Sequence, residues 1–472
     1  METSIESETQ AQQAWKLRES YRGPSLHDSL LKNEFATVEH QQDALNRNLR
    51  RMLEHCYDAV PYYRDRFQQA GVSRRQLRDP ASLQRLPILE KEDVEKQFEG
   101  LRAQSLMSNQ RALGSTRSSG TTGQPTLVLQ TDASIGMFRW LKQRELRWYR
   151  YNPLAAMLSI RPSIELPRLP DGNLLQNENY LKVKSWPYLG GLFETGEAWA
   201  FNNTNSIKDQ VKLLEKIKSQ YLLMQSAGLE YLSMQSISED AISILEGVHA
   251  ISQTLTPIMR SQIEASLQVP VHQNYGLNEI GMVASRCTEG GRYHVHSEHC
   301  LVEIIDSAGN PCRAGEYGKL LVTSLTNSAM PLLRYDADDM AEALEGPCPC
   351  GRTLASFGAI QGRYRRIAQL PEGSFERWAA IQLTLYKLAA ENKSAVSKYQ
   401  AYQNQEGDFQ LRIDCDEEIF SKITQQVEQD FKLAVDEPDC PDLEVVRTNE
   451  FHGEQGRKFQ NFISEFIPDM DR

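Results

Sequence analysis

The stretch Ser118-Ser119-Gly120-Thr121-Thr122-Gly123-Gln124-Pro125-Thr126, running straight into Leu127-Val128-Leu129, decides how this chain is read. Two glycines allow a tight turn that brings several backbone N–H groups towards one point. Five hydroxyls lie in the same nine residues and can donate to phosphate oxygens. Pro125 stiffens the exit into an apolar run that reads as a strand. The composition is that of a phosphate cradle, though not of a Walker A loop, which needs Gly-Lys-Ser/Thr at the start of a helix. It also fits a flexible linker, so the flanking sequence has to choose.

Upstream, Leu45, Leu49, Met52 and Leu53 recur at helical spacing. Val60-Pro61-Tyr62-Tyr63-Arg64 turns the chain into a second helix ending near Gly71, and Leu86–Asp93 is a loop feeding a charged helix. Downstream, Ala133–Tyr151 is an aromatic-rich helix. Helix and strand signals then alternate: Ile207–Gln220 helical, Tyr221–Met224 strand, Ala241–Ala250 and Thr256–Ser266 helical, Val269–Asn274 strand. Such alternation predicts an α/β layer architecture. Tyr293–Val295, Cys300–Ile305 and Lys319–Thr323 read as further strands. The composition changes after Gly362. Helices at Trp378–Lys393 and Glu417–Phe431 then alternate with strands at Tyr399–Gln403, Asp408–Ile413 and Leu443–Arg447. That predicts a small α+β domain over residues 363–472, after a large α/β domain over 1–362 whose sheets are flanked by helices.

Charge and composition exclude several functions. With 52 basic against 63 acidic side chains the net charge is −11, which argues against nucleic-acid binding. No apolar run approaches the ~18 residues of a membrane span, so no membrane association is expected. The opening METSIESETQAQQAW lacks the basic-then-apolar pattern of a signal peptide, so the expected location is cytoplasmic. In that setting eight cysteines point to metal ligands or free thiols rather than a disulfide framework.

Three more stretches complete the pattern: Tyr275-Gly276-Leu277-Asn278-Glu279 after a strand, Arg334-Tyr335-Asp336-Ala337-Asp338-Asp339 after Met330-Pro331, and Gln361-Gly362-Arg363 before the compositional break. With the cradle, their order and spacing resemble the adenylate-forming (ANL) superfamily. The nearest branch is that of the phenylacetate-CoA ligases, coenzyme F390 synthetases and capsule-associated CapK-like proteins. His55–Arg64, Leu86–Asp93 and Cys348-Pro349-Cys350-Gly351 echo that branch, and the likeness runs from about residue 40 to the end.

The resemblance implies a C-terminal lid hinged near Gly362-Arg363 and a two-step reaction. A carboxylic acid, by resemblance an aromatic one, attacks the α-phosphate of ATP; a nucleophile, most simply CoA, then displaces AMP. Ser118, Ser119, Gly120, Thr121, Thr122, Gly123 and Thr126 are expected on the phosphates. Glu279 is expected on Mg²⁺, Tyr275 on adenine, and Gly276 and Asn278 beside them. Asp339 is expected on the ribose hydroxyls and Arg363 on ribose or phosphate. The acid pocket is expected to draw on Tyr221–Leu232 and the Gly276 backbone. Homodimers are an analogy with relatives.

This sequence also departs from its relatives. Where they carry a lysine after a glycine near the C-terminus, it reads Gly453-Glu454-Gln455-Gly456-Arg457-Lys458, leaving Lys458 and Arg457 both as the lid cation. Gln124 replaces a common lysine, Ser252-Gln253-Thr254-Leu255 lacks the usual adenine-side Glu, and Arg365-Arg366 replace paired aspartates. These changes keep two other outcomes open: transfer to an amine, hydroxyl or carrier-protein thiol, or a degenerate homologue that binds nucleotide without chemistry. Finally, Cys287, His294, Cys348 and Cys350 could close a tetrahedral structural zinc site. Free thiols are the alternative.

Overall fold

Helix starts are set by local capping. Thr37 accepts a bond from the His40 amide (3.2 Å) and opens the helix Val38–Ala59, whose Leu49, Met52, Leu53 and Cys56 are buried on one face. Pro61 then starts Pro61–Gln69, where its missing N–H costs nothing. The computed structural model describes residues 26–117, 126–177, 179–189, 192–253, 255–361, 371, 373–435, 440–452 and 461–465.

The strands β1 (Ala112–Arg117) and β2 (Leu127–Thr131) form an antiparallel hairpin, with Arg117 opposite Leu127. The expected phosphate cradle falls between these two strands in sequence; its residues 118–125 lie outside the described residues. Next come β3 (Met157–Arg161), β4 (Tyr180–Val183), β5 (Ala198–Asn202), β6 (Tyr221–Gln225), β7 (Gly247–Ile251), β8 (Val271–Leu277), β9 (Gly281–Arg286) and β10 (Tyr293–Val295). After them run β11 (Cys300–Ile305), β12 (Tyr317–Ser324), β13 (Tyr335–Ala343) and β14 (Ser356–Gln361). Among the described residues these make one 12-stranded sheet in the order β11-β12-β13-β14-β10-β9-β8-β7-β6-β3-β5-β4. Its half from β5 to β8 is parallel, and β8 joins the antiparallel half by pairing with β9.

One sequence expectation changes here. Ala241–Ala250 is not one helix: a helix ends at Ile244, and Gly247–Ile251 is a strand with all five residues buried. Gly247 disfavours continuing the helix, and five successive buried positions suit a parallel strand covered on both faces. The Tyr221–Leu232 stretch, expected at the acid pocket, is largely buried, with Gln225, Ala227 and Gly228 half-buried. Tyr221 stacks on Tyr151 (ring centroids 3.9 Å apart), and Leu229, Glu230, Tyr231 and Leu232 are all buried.

The C-terminal residues build a separate four-stranded sheet in the order β17-β16-β15-β18 from β15 (Val396–Gln403), β16 (Phe409–Cys415), β17 (Leu443–Arg447) and β18 (Phe462–Ser464). Helices Ser374–Glu391 and Glu417–Leu433 belong to the same unit. Its core joins Tyr399, Leu411, Ile413, Val427 and Phe431 to two residues of the large unit, Tyr231 and Met234.

Candidate active site

In open α/β sheets ligands bind at the carboxyl ends of the parallel strands. Three sequence motifs meet at that edge. Tyr275 lies near the end of β8, and Leu277–Ile280 makes the tight turn into β9, closed by a bond from the Ile280 amide to the Leu277 carbonyl (3.2 Å). The turn exposes Gly276 and Asn278 and buries Glu279. A side chain at 276 would place its Cβ 2.8 Å from the Gly281 carbonyl oxygen, so the hairpin itself requires the glycine.

Glu279 is held from two directions. The Gln130 side-chain amide in β2, just beyond the cradle, donates to its backbone carbonyl (3.2 Å). The Tyr335 hydroxyl at the start of β13 donates to its carboxylate (3.3 Å). Neither Gln130 nor Tyr335 stood out as a site residue in the sequence, although Tyr335 lies inside a quoted motif. The structure also sorts the acidic run of β13. Asp336 is buried and paired with Lys319 (2.6 Å). Asp338 takes a left-handed φ of 58°. Asp339 accepts a bond from the Tyr275 hydroxyl (2.7 Å). Burial, then the nearby Asp339 carboxylate, pushes the Tyr275 hydroxyl well up, so it stays a donor. Opposite, Gln361, the last described residue before Gly362-Arg363, pairs with Met340 beside Asp339.

The remaining candidate residues fall less centrally. Thr126 is buried and its hydroxyl donates to Glu95 (2.8 Å), which fixes the base of the cradle. Ser118, Ser119, Gly120, Thr121, Thr122, Gly123, Arg363, Arg457 and Lys458 lie outside the described residues. Gln253, in the adenine-side stretch, turns inward: its side-chain oxygen accepts from the Ala227 amide (3.0 Å), and its carbonyl accepts from the Ser226 hydroxyl (3.1 Å). Behind the site, the aromatic-rich helix (Asp132–Trp148) buries charge rather than only rings. Its Glu145 pairs with Lys142 (2.6 Å) and accepts from Asn274 of β8 and Ser285 of β9 (3.2 Å each).

Against chains of known identity, the likeness spans most of the length. The phenylacetate-coenzyme A ligase of Thermus thermophilus is 27% identical over 406 residues, covering 82% of this chain and 84% of that one. Over most of its length the chain is similar to phenylacetate-coenzyme A ligases. The phenylacetate-coenzyme A ligase of Escherichia coli is 29% identical over 341 residues, 70% of this chain and 72% of that one. A solved 2-hydroxyisobutyryl-CoA ligase, in its postadenylation state with an acyl-AMP, shares the fold with a TM-score of 0.66 at 15% identity, covering 95% of each chain. No protein-family model matches the chain.

A second cluster lies where β9, β10 and β14 meet. Cys287 at the end of β9, His294 in β10, and Cys348 and Cys350 before β14 place one ligand atom each within 4.8 Å of one another. The Cys348 and Cys287 sulfurs are 3.8 Å apart, and the Cys350 sulfur is 3.3 Å from His294 Nε2. Two thiolates each bound to one tetrahedral zinc at about 2.3 Å stand about 3.8 Å apart. Burial holds His294 down at about 4, so the ring is neutral and ready to ligate. Its Nδ1 lies 3.4 Å from the Leu354 carbonyl, the outer contact that orients a metal-bound imidazole. Gly290 lacks the side chain that would collide with the Cys348 sulfur, and its amide donates to Cys287 Sγ (3.4 Å). The donor set fits a structural zinc.

The Tyr275–Asp339 bond has a measurable consequence. Tyr275→Phe keeps the ring but removes this bond to Asp339, so the KM for ATP is expected to rise about fivefold with kcat little changed, the scale of one net hydrogen bond of ~1 kcal/mol. Steady-state kinetics in ATP checks this; a fall in kcat at constant KM would assign the hydroxyl a different role.

Proposed function

We propose that this chain joins a carboxylic acid, by its relatives an aromatic one, to CoA at the expense of ATP. In the first step a carboxylate oxygen attacks the α-phosphorus and pyrophosphate leaves. In the second the CoA sulfur attacks the acyl carbonyl and AMP leaves.

One observation carries the reading: the Gln130–Glu279–Tyr335 and Tyr275–Asp339 contacts draw the cradle hairpin, the turn after β8 and the acidic strand β13 to one sheet edge. In this reading the cradle's hydroxyls and amides receive the β- and γ-phosphates, using fixed donors rather than covalent chemistry. Glu279 is the hard oxygen ligand for a Mg²⁺ that offsets phosphate charge. Asp339 accepts both ribose hydroxyls, Tyr275 packs on adenine, and Arg363 reaches ribose or phosphate from the hinge. Either Lys458 or Arg457 supplies the cation that lets two anions meet; the two are not equivalent, since ammonium is a compact point charge and guanidinium a planar fork. Cys287, His294, Cys348 and Cys350 hold a zinc whose four protein ligands leave no position open for catalysis. Their thiols fit a reducing cytoplasm.

Acid-dependent ATP–pyrophosphate exchange over aryl, fatty and amino acids tests the proposal without needing the acceptor. Exchange is expected with an aryl acid. Silence across the panel with ATP binding intact would overturn it in favour of a nucleotide-binding homologue.

A further inference from the structure

Arg161 closes β3 at the carboxyl edge of the parallel strands, opposite Asn202 of β5 and one residue beyond the Ile160–Met224 pair with β6. It is buried, 4% exposed. Its guanidinium donates from Nε to the Ser159 hydroxyl oxygen (2.8 Å) and from Nη1 to the Tyr188 hydroxyl oxygen (2.7 Å). Both partners are neutral. The carboxylate nearest to it among the described residues is the exposed Glu165, 3.9 Å from Nη1 and beyond hydrogen-bond reach. No described residue accepts from Nη2. A guanidinium keeps its charge in any surroundings, so this buried cation lacks a bonded anion. Lys142, its neighbour across the Tyr188 ring, is already matched by Glu145 (2.6 Å).

A line of rings joins that cation to the turn after β8. The Arg161 guanidinium carbon lies 5.1 Å from the Tyr188 ring centroid. Phe138, on the helix Asp132–Trp148, meets the same ring edge-on with centroids 5.3 Å apart. Phe138 Cδ2 in turn lies 3.7 Å from where a Cβ on Gly281 would stand, two residues past Glu279. Both rings are half-buried, and Tyr188 holds a left-handed φ of 68°, a conformation that bulky residues rarely adopt away from functional sites. Burial pushes the Tyr188 hydroxyl up, so it stays protonated; having accepted from Arg161, it keeps its own hydrogen to donate. In the sheet β3 stands three strands from β8, ~14 Å at the usual spacing, which is longer than phenylacetate.

We infer that Arg161 determines specificity and that the substrate is an aryl acid carrying a second, distal carboxylate. The reacting carboxylate lies at the turn after β8, the aromatic ring runs beside Phe138 and Tyr188, and the distal carboxylate accepts from Arg161 Nη2 and the Tyr188 hydroxyl. The inference rests on the ligase reading and names its acid. Two donors converging on one group ask for an acceptor, and the planar fork of an arginine suits a carboxylate. A distal hydroxyl would take up the donors but leave the buried charge without its anion.

The test uses the full chain and acid-dependent ATP–pyrophosphate exchange with phenylacetate, 4-hydroxyphenylacetate, and 3- and 4-carboxyphenylacetate. For the wild type, kcat/KM with one of the two diacids is expected to exceed that with phenylacetate at least tenfold, roughly the scale on which a site built for a polar group begins to discriminate. Arg161→Gln is expected to lower that ratio at least tenfold, mainly through the KM for the diacid. Tyr188→Phe removes only the hydroxyl and is expected to lower the ratio about threefold; it decides the matter if Arg161→Gln does not fold. A merely structural role would lower exchange with every acid alike and leave the ratio where it was, which would overturn the inference. So would a wild type that prefers phenylacetate or 4-hydroxyphenylacetate to both diacids, while the ligase reading stood. A wild type silent towards every acid, diacids included, would instead overturn the ligase reading, and this inference with it.

Discussion

Glu279→Gln is expected to lower acid-dependent ATP–pyrophosphate exchange by about 10²–10³, the scale on which a single preorganised electrostatic group acts in transition states, while leaving the thermal midpoint nearly unchanged. The substitution is clean because the structure separates the residue's contacts from its charge. Gln130 binds the backbone carbonyl, which any side chain keeps. Tyr335 donates to a carboxylate oxygen for which an amide oxygen substitutes. What the amide cannot supply is the negative charge that a hard cation on the phosphates requires. If Glu279 served only to hold the turn after β8, exchange would stay normal. Neutralising a buried carboxylate whose one described side-chain partner is a neutral hydroxyl would cost nothing or add stability. Exchange rate and melting temperature, measured on the same preparation, therefore distinguish the two roles. A variant with normal exchange and a raised midpoint would remove Glu279 from the chemistry.

The parts of this molecule that could be read from sequence are those whose physics is local or whose residue types are rare. Helix starts such as Thr37 and Pro61 carry their own caps, and Leu443–Arg447 is bounded as its apolar alternation predicts. The three cysteines and one histidine were legible because few other roles use thiols and imidazole together, and they do converge. Gly247–Ile251 was misread because a short buried strand and a buried helical turn share the same apolar composition, and only the flanking β6 and β8 decide between them. The strand β13 escaped notice because Tyr335–Ala343 is rich in Asp and Ala, which disfavour strands in isolation. Arg161 was invisible for another reason. In sequence it is one base closing a short apolar run, and the tyrosine it bonds lies 27 residues away. Asp339 lay between these cases: its place in a motif made it a candidate, but a run of three aspartates gave no sign of which one faced Tyr275.

The purified chain is expected to carry one zinc, and Cys348→Ser is expected to lose it together with about 4 kcal/mol or more of stability, as removal of a metal site does among single substitutions. The sheet explains why so much should depend on the cluster. β10 is three residues long, yet it lies between β9 and β14 in the middle of the sheet, and only Tyr293 and His294 pair with β14. Cys287 and His294 fix one side of that junction, and Cys348 and Cys350 fix the chain entering β14. Without a cation the cluster works against itself: burial and the neighbouring thiols push Cys348 up to about 12. At neutral pH that thiol stays protonated; a divalent ion would stabilise its thiolate instead, which is how binding would add stability. Since β14 pairs with β13, loosening it should also reach Asp339, and the KM for ATP should rise in whatever Cys348→Ser protein remains folded. Metal content by mass spectrometry, together with the melting curve, reads the effect directly. Cys440→Ser, at an exposed thiol outside the cluster, is the matched control and should keep both metal and midpoint. A wild type that is metal-free at full stability would leave the four side chains as ordinary packing, and the junction at β10 would then have to be held by Phe357 stacked on Tyr293 (5.4 Å) and by the burial around it.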